Sequence, residues 1–571
     1  MNYCSNPYWY VITALSGIAS PDSESALVLA NAIFANAMSN GIITGNPDIR
    51  QGLKEMLENT DDATALSPLE QNRALKLTGL VNTPWVNNAE SESERIASLA
   101  TYLNGTDAQG VIKKLIDKLI ALQSADGGWS WMKQMPVSPY ITTRILDRLG
   151  KLNASEYMPD SRELNSAVDA ALKYSDAEMI KGYNRWLKTA KTPYPLSSEI
   201  SYMLMRKNLT SGDISIGNKS ELSPELKKIE AELYRRLPEE WKSLTLAEKI
   251  SAASLLNFKG NEGLAKEIMT SVLQFASYKE NKGMWFDVAG DIYGSATGLS
   301  LVASCAQCLK EVDPQNPALP KLIQYLVLSR QTQNWSESNS AADIADMASA
   351  VVNNSQFTHT ADANATPVIY IGDKMMEVPV AQTKSGNIYF NLNPEEISGK
   401  TISIHNRGGN IAWGGIMVQR SEEMSHVKPM SVGALKIEKA LLPIENSDGK
   451  VKTGKNSTRF HAGDRILVTL TIIADRDIDY AMIRDIRPAC VRPAEQLTEY
   501  KSQDGIMMLV EPLKDATNIF ITSLPKGKHI ISYEVYADRD GQYSSGIAEI
   551  QSLYYPMITA RSGGTRVEVT Q

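Results

Sequence analysis

The sequence predicts a multidomain α + β protein, an α/α toroid followed by antiparallel β-sandwich domains. Three observations lead there. At 571 residues the chain exceeds what one hydrophobic core organises. Apolar residues recur with a helical period up to about residue 352, then give way to alternation and turn chemistry. Tryptophan-bearing loops return between the helical segments, as a repeat of helical hairpins requires. The expected units are a toroid over residues 1–352, a partial β domain over 353–432 and a terminal β-sandwich over 433–571.

In the helical part, Val111, Ile112, Leu115, Ile116, Leu119 and Ile120 fall on one helix face, and Ile141, Ile145, Leu146 and Leu149 on another. Between them runs Asp126-Gly127-Gly128-Trp129-Ser130-Trp131, and Ser138-Pro139 supplies an N-cap with proline at the first helical position. The segment therefore reads as a helical hairpin. Its punctuation returns at Lys282-Gly283-Met284-Trp285-Phe286-Asp287 and at Gln333-Asn334-Trp335-Ser336-Glu337-Ser338, with the two tryptophans about 50 residues apart, one helix pair plus its loops. Further helix starts are expected around Leu196 and Leu246. A closed ring of hairpins gathers these loops on one face, which makes Trp129, Trp131, Tyr140, Trp285 and Trp335 the residues of a possible binding face.

Beyond Asn353 the signals are those of strands. Residues 465–474 and 529–537 are rich in β-branched and aromatic side chains, and Asp448-Gly449, Asp504-Gly505 and Pro525-Lys526-Gly527 are turn chemistry between strands. A softer boundary falls near Pro429–Gly433, dividing the β part into two units.

Composition narrows the function classes. A hydrophobic share of 43% with 22% charged residues is ordinary for globular protein, and a net charge of −7 argues against a nucleic-acid partner. No apolar run is expected to reach the roughly 20 residues that span a bilayer. The residues after Met1 have neither a basic region nor an apolar core, so no signal peptide is expected in this chain. Cys305 and Cys308 form a CxxC inside an apolar helical run and read as buried helix residues rather than as an activated redox pair.

Histidine is the most informative residue for chemistry. His359, His405, His426, His461 and His529 all lie in the β part, so the helical ring offers no imidazole for zinc or for activating a nucleophile. No cofactor, metal or catalytic residue is expected. Gln123-Ser124-Ala125-Asp126-Gly127-Gly128-Trp129 resembles the repeat motif of terpene cyclases, but such motifs tie helix ends together, and the chain lacks the acid cluster of the cyclases that protonate alkenes. The competing reading is an α/α-toroid enzyme, a lyase, hydrolase or terpene-cyclase-like protein with a pocket at the tryptophan-bearing face. It requires convergent acids in that pocket.

The order of motifs carries a family resemblance. Asp475-Arg476-Asp477-Ile478-Asp479-Tyr480, Arg484-Asp485-Ile486-Arg487-Pro488-Ala489, Tyr500–Gly505, Ser523–Gly527, Gly541–Ile547 and Tyr554-Tyr555-Pro556 resemble the C-terminal domain of bacterial alpha-2-macroglobulins. Asn6-Pro7-Tyr8-Trp9-Tyr10, Thr83-Pro84-Trp85 and Asp126–Trp129 resemble that family's thioester-domain toroid. Covalent traps of the family carry Cys-x-Glu-Gln, a Cys–Gln cross-link across three residues. The corresponding stretch here, Pro21-Asp22-Ser23-Glu24-Ser25-Ala26-Leu27-Val28, has neither cysteine nor glutamine, so Pro21, Ser23 and Ser25 mark a degenerate thioester region. The resemblance implies a non-enzymatic protein that binds proteases or other envelope proteins without a covalent bond. It also implies a longer, periplasmic or cell-envelope parent and a CUB-like middle segment of which residues 353–432 are one half. An open sheet edge there is expected to be exposed, covered by another segment, or used in a contact.

Overall fold

The computed structural model describes residues 2–58, 94, 97–190, 192–210, 222–287, 298–332, 341–354, 367–378, 386–389, 392–406, 412–416, 418, 422–447 and 450–571. Trp335 with its flanking 333–338 loop, Thr83-Pro84-Trp85, His359 and the Asp448-Gly449 turn lie outside the described residues.

Helix starts follow local chemistry. In α1 (Pro7–Ala19) the Asn6 side chain accepts from Tyr8 N and proline occupies the first position. In α2 (Ala26–Gly45) Ser25 is the cap, and α3 (Pro47–Glu58) follows. Asn104 caps α4 (Gly105–Ile120), Ser138 caps α5 (Pro139–Ala154) and Ser161 caps α6 (Arg162–Thr189). After α7 (Leu196–Thr210), Ser223 caps α8 (Pro224–Glu240). Thr245 and Glu248 form a reciprocal capping box on α9 (Leu246–Phe258), and Asn261 caps α10 (Glu262–Leu273). The last three helices of the ring are α11 (Gly298–Val312), α12 (Leu319–Thr332) and α13 (Ala341–Val352).

Among the described residues, α2, α5, α7, α9, α11 and α13 each pack on the next, and α13 returns to α2. That closes an inner ring, with α1, α4, α6, α8, α10 and α12 outside it. Each outer helix runs into the inner helix that follows it in sequence, so the inner helices are parallel and their N-termini share one face. Their C-terminal halves are tied by ions. Asp346 of α13 pairs with Lys151 of α5 at 2.7 Å and with Arg148 at 3.3 Å. Lys207 of α7 donates to Ser254 Oγ of α9 at 2.6 Å, and that hydroxyl donates to Glu311 of α11 at 2.7 Å. Cations in the last turns also meet the negative end of the helix dipole.

One sequence expectation is corrected here. The 20-residue α2 is long and apolar enough, by length and composition, to cross a membrane. As an inner helix it buries Leu29, Ile33, Phe34, Met38 and Ile42 against the rest of the ring.

A second correction concerns the first residues, assigned above to the toroid. Strand β1 (Asn2–Cys4) pairs antiparallel with β6 (Asn387–Tyr389) on one side and β8 (Trp413–Gly415) on the other. A companion sheet holds β4 (Val368–Ile371) between β5 (Lys374–Met375) and β7 (Ile402–His405). Tyr3 of β1 packs with Ile369 and Ile388, so the N-terminal strand supplies both the middle of a sheet and part of this unit's core. The facing edges of β6 and β8 are thus covered by another part of the same chain. Trp413 Nε1 donates to Tyr10 OH at 2.8 Å, fastening the unit to α1.

The terminal unit is two large antiparallel sheets and a small third one, in which β23 (Arg566–Thr570) pairs parallel with β12 (Arg459–His461) and antiparallel with β20 (Gly541–Ser544). One runs β11 (Lys450–Thr453), β10 (Leu435–Ser447), β13 (Arg465–Ala474), β19 (Gly527–Ala537), β15 (Val491–Pro493). The other runs β16 (Glu499–Gln503), β17 (Ile506–Pro512), β18 (Ala516–Leu524), β14 (Ile478–Ile486), β21 (Ala548–Ser552), β22 (Thr559–Arg561), β9 (Met430–Val432). Leu470 and Ile472 from the first meet Ile483, Ile519, Ile521 and Ile550 from the second in the core. Strand β9 lies before the expected boundary at 433 yet pairs with β22, so it belongs to this unit. Asp504 and Gly505 both take positive φ, 51° and 75°, and join β16 to β17 in a two-residue turn.

Candidate binding face of the ring

The face formed by the inner-helix N-termini carries the segment around Pro21, Ser23 and Ser25 and, among the described residues, the loops that hold Trp129, Trp131 and Trp285. Ser25 is buried and its Oγ accepts from Val28 N at 3.3 Å. Ser25 thus closes the first turn of α2 as a helix cap. Pro21 and Ser23 are half-buried in the segment leading to it, and Glu24 pairs with Lys118 of α4 at 2.8 Å. Lys118 holds the Glu24 carboxyl below the usual carboxylate range. Ala26 N donates to Trp131 O at 2.9 Å, which joins the start of α2 to the α4–α5 loop.

That loop has a rigid base. Gln123 Nε2 donates to Gly127 O at 2.8 Å and to Ala167 O at 2.7 Å. Trp129 Nε1 donates to Leu119 O at 3.0 Å, and Trp129 N to Thr142 Oγ1 at 2.8 Å. Gly127, at φ 92°, sits so close to the Ala170 carbonyl that no Cβ would fit. Trp129 is 0% exposed, so it is a wedge between helix ends and not part of a binding face. Trp131 and Tyr140 do reach solvent, at 48% and 61% exposure, with Met132 and Met135 exposed beside them.

Trp285 lies on the same face, before α11, and is only 7% exposed. It belongs to the hairpin of β2 (Ala276–Lys279) and β3 (Gly283–Phe286), and it stacks on Tyr325 of α12 with centroids 6.0 Å apart. Gly283 takes φ 86°, and a Cβ there would lie 2.5 Å from Tyr325 N. The terminal sandwich docks on this hairpin. Lys282 Nζ lies 4.1 Å from the Trp285 ring centroid and donates to Asp475 O at 3.0 Å. Burial pulls its ammonium down to about 8, against the opposing attraction of Asp475. Asp287 accepts from Lys526 Nζ at 2.8 Å, from Trp285 Nε1 at 3.0 Å and from Ser277 Oγ at 3.0 Å. Led by the Lys526 bond, these hold its carboxyl at about 2. Trp285 is therefore a domain-contact residue and does not face solvent as a binding residue would. Sequence reading missed this clasp, whose only local signal was the flanking of an aromatic by Lys282 and Asp287.

Buried groups elsewhere are structural. Cys305 and Cys308 are buried in α11, and burial pushes the Cys305 thiol up to about 12. Glu199 of α7 is 0% exposed, 3.3 Å from Arg236 of α8, and burial lifts its carboxyl to about 7. It sits in the first turn of α7, at the same end of the ring as the tryptophan loops, where Arg236 also donates to Tyr194 O at 2.8 Å. Among the described residues no group of three or more His, Cys, Asp or Glu side chains could hold a metal ion. The described ring face brings together hydrogen-bonded caps, aromatics and ion pairs, an arrangement suited to holding surfaces.

Two packed antiparallel sheets behind a helical ring define the class as a toroid–sandwich protein. Residues 435–556 match the family model of the bacterial alpha-2-macroglobulin MG10 domain, and the terminal sandwich is of that domain family. The resemblance read from its motifs is thereby upheld. Among solved structures, the chain is similar to Salmonella alpha-2-macroglobulin reacted with methylamine, at 16% identity and a TM-score of 0.35, covering 100% of this chain and 31% of that one. For trypsin-activated alpha-2-macroglobulin from Escherichia coli the identity is 16%, the TM-score 0.39 and the coverage 83% and 31%. For the native E. coli protein from domain MG7 to the C-terminus they are 15%, 0.33, 100% and 77%. The chain thus spans about a third of the length of the first two. No curated protein matches it.

Proposed function

We propose that this chain is the C-terminal region of an alpha-2-macroglobulin-like protein that works without a thioester, by non-covalent binding of proteases or other envelope proteins. On this reading the ring is a thioester-domain-like unit, the middle β segment is CUB-like, and the parent protein is periplasmic or cell-envelope located. The observation that supports it is an MG10-type sandwich joined to a ring in which Ser25, within the stretch read as a degenerate thioester region, caps α2 through Val28 N. A serine cap and a valine side chain supply neither thiol nor carboxamide, so no acyl bond to a target forms there. Function then rests on surface and on the contact between ring and sandwich.

The test is incubation of the chain with a panel of endopeptidases, followed by size-exclusion and by denaturing electrophoresis. The expected result is complexes that survive the column and separate completely in denaturant. Adducts stable to denaturant, or turnover of a polysaccharide or terpenoid by the chain, would contradict the reading.

A further inference from the structure

The α4–α5 loop presents a second kind of surface on the ring face. Trp131, Met132, Met135 and Tyr140 are exposed together on a base fixed by the Trp129 and Gln123 hydrogen bonds. Aromatic anchors on a rigid mount lose little entropy on binding, and methionine adapts its shape to a partner. At the loop tip Met135 N donates to Met132 O at 3.1 Å while Gln134 takes φ 69°, a conformation that side chains other than glycine rarely adopt.

The charges around the patch are unequal in availability. Two acids beside it are engaged: Glu24 pairs with Lys118 and is also drawn by Lys133, and Asp126 accepts from Ser124 Oγ and Gly128 N. Its cations are exposed: Lys133 sits at the tip, and Arg144 lies 5.9 Å from the Tyr140 ring centroid. Neither cation forms a hydrogen bond or close ion pair among the described residues. The patch also continues a face already used for protein contact, since the terminal sandwich covers the Trp285 side of it.

We propose that Trp131, Met132, Met135 and Tyr140, flanked by Lys133 and Arg144, form a docking site for an acidic polypeptide segment that carries bulky apolar side chains. The site deepens the reading of the ring as a non-covalent binding unit and rests on it. A protein partner fits better than an anionic membrane. Surface adsorption to lipid takes a cluster of roughly four to eight cations, whereas two stand here beside anchors held in fixed geometry.

The test uses the full chain and three probes: a fluorescein-labelled glutamate-rich peptide carrying phenylalanine, its lysine-rich counterpart, and phosphatidylglycerol vesicles. Saturable binding of the acidic peptide is expected, weakened about tenfold or more by Trp131→Ala with Tyr140→Ala and by Lys133→Glu with Arg144→Glu. All four positions are exposed, and thermal melts of the variants should match the parent. Equal binding of the lysine-rich peptide, binding of vesicles in place of peptide, or unchanged binding by both variants would overturn the proposal. Failure here leaves the thiol chemistry of the ring untouched, whereas a thioester found in the ring would sink the underlying reading whatever the peptides do.

Discussion

Ser25 closes the first turn of α2 with a bond from Val28 N, and the adjoining Ala26 N–Trp131 O bond ties that turn to the neighbouring loop. Replacing a serine cap by alanine typically costs ~1 kcal/mol. Ser25→Ala should therefore lower the unfolding free energy read from urea melts by about that amount, with Ser25→Asp restoring most of it. Glu199 sets a pH dependence of its own. Its folded value of about 7 lies above the 4.5 of an ordinary glutamate, so the native ring holds a proton between those values that the unfolded chain has released. Stability from this group is complete at low pH and falls as pH rises through 7. Urea midpoints at pH 5 and pH 8 should differ less in Glu199→Gln than in the parent. An unchanged difference would show that Glu199 does not titrate there.

At the scale of elements, the β2–β3 hairpin is where ring and sandwich meet. Asp287 bonds to Trp285 within the hairpin and to Lys526 across the contact. Asp287→Asn should raise hydrogen exchange at residues 276–286 and at the Pro525–Gly527 turn, leaving α6, which packs beside α5 across the ring, unchanged. Because its folded value near 2 is below the 3.8 of an ordinary aspartate, the carboxylate's contribution is present above that pH and is lost as pH falls through 2. The parent should therefore approach the variant's exchange behaviour on acidification. Protection that is equal in both at neutral pH would remove Asp287 from the clasp.

Elements such as these show what the sequence could express. The α4–α5 hairpin was legible because Ser138-Pro139 and the apolar spacing are local signals. The wedge role of Trp129 was legible as a motif, but its complete burial was not, since its partners Leu119 and Thr142 come from two different helices and the loop is pinned to a third through Gln123 and Ala167 O. Trp285 was assigned to an open face because its cover comes from residues 475 and 526, far along the chain. The same distance hid β1, three residues whose partners lie at 387–389 and 413–415.

At the scale of the whole molecule, β1 enters the middle unit, the chain then winds around the ring, and β6 and β8 return to flank that strand. The terminal sandwich bridges back to the ring face through Lys282, Asp287 and Lys526. Ring, middle unit and sandwich are thus held by contacts distant in sequence, with the Trp131 side of the face open. The central claim for this assembly is that its thioester position is a helix cap and its cysteines are ordinary buried thiols. Cys4, Cys305, Cys308 and Cys490 are all free and buried. Titrating thiols in denaturant, before and after treatment of the native protein with methylamine, tests that most directly. The expected count is four in both samples. Three thiols rising to four after methylamine would reveal a thioester and contradict the account.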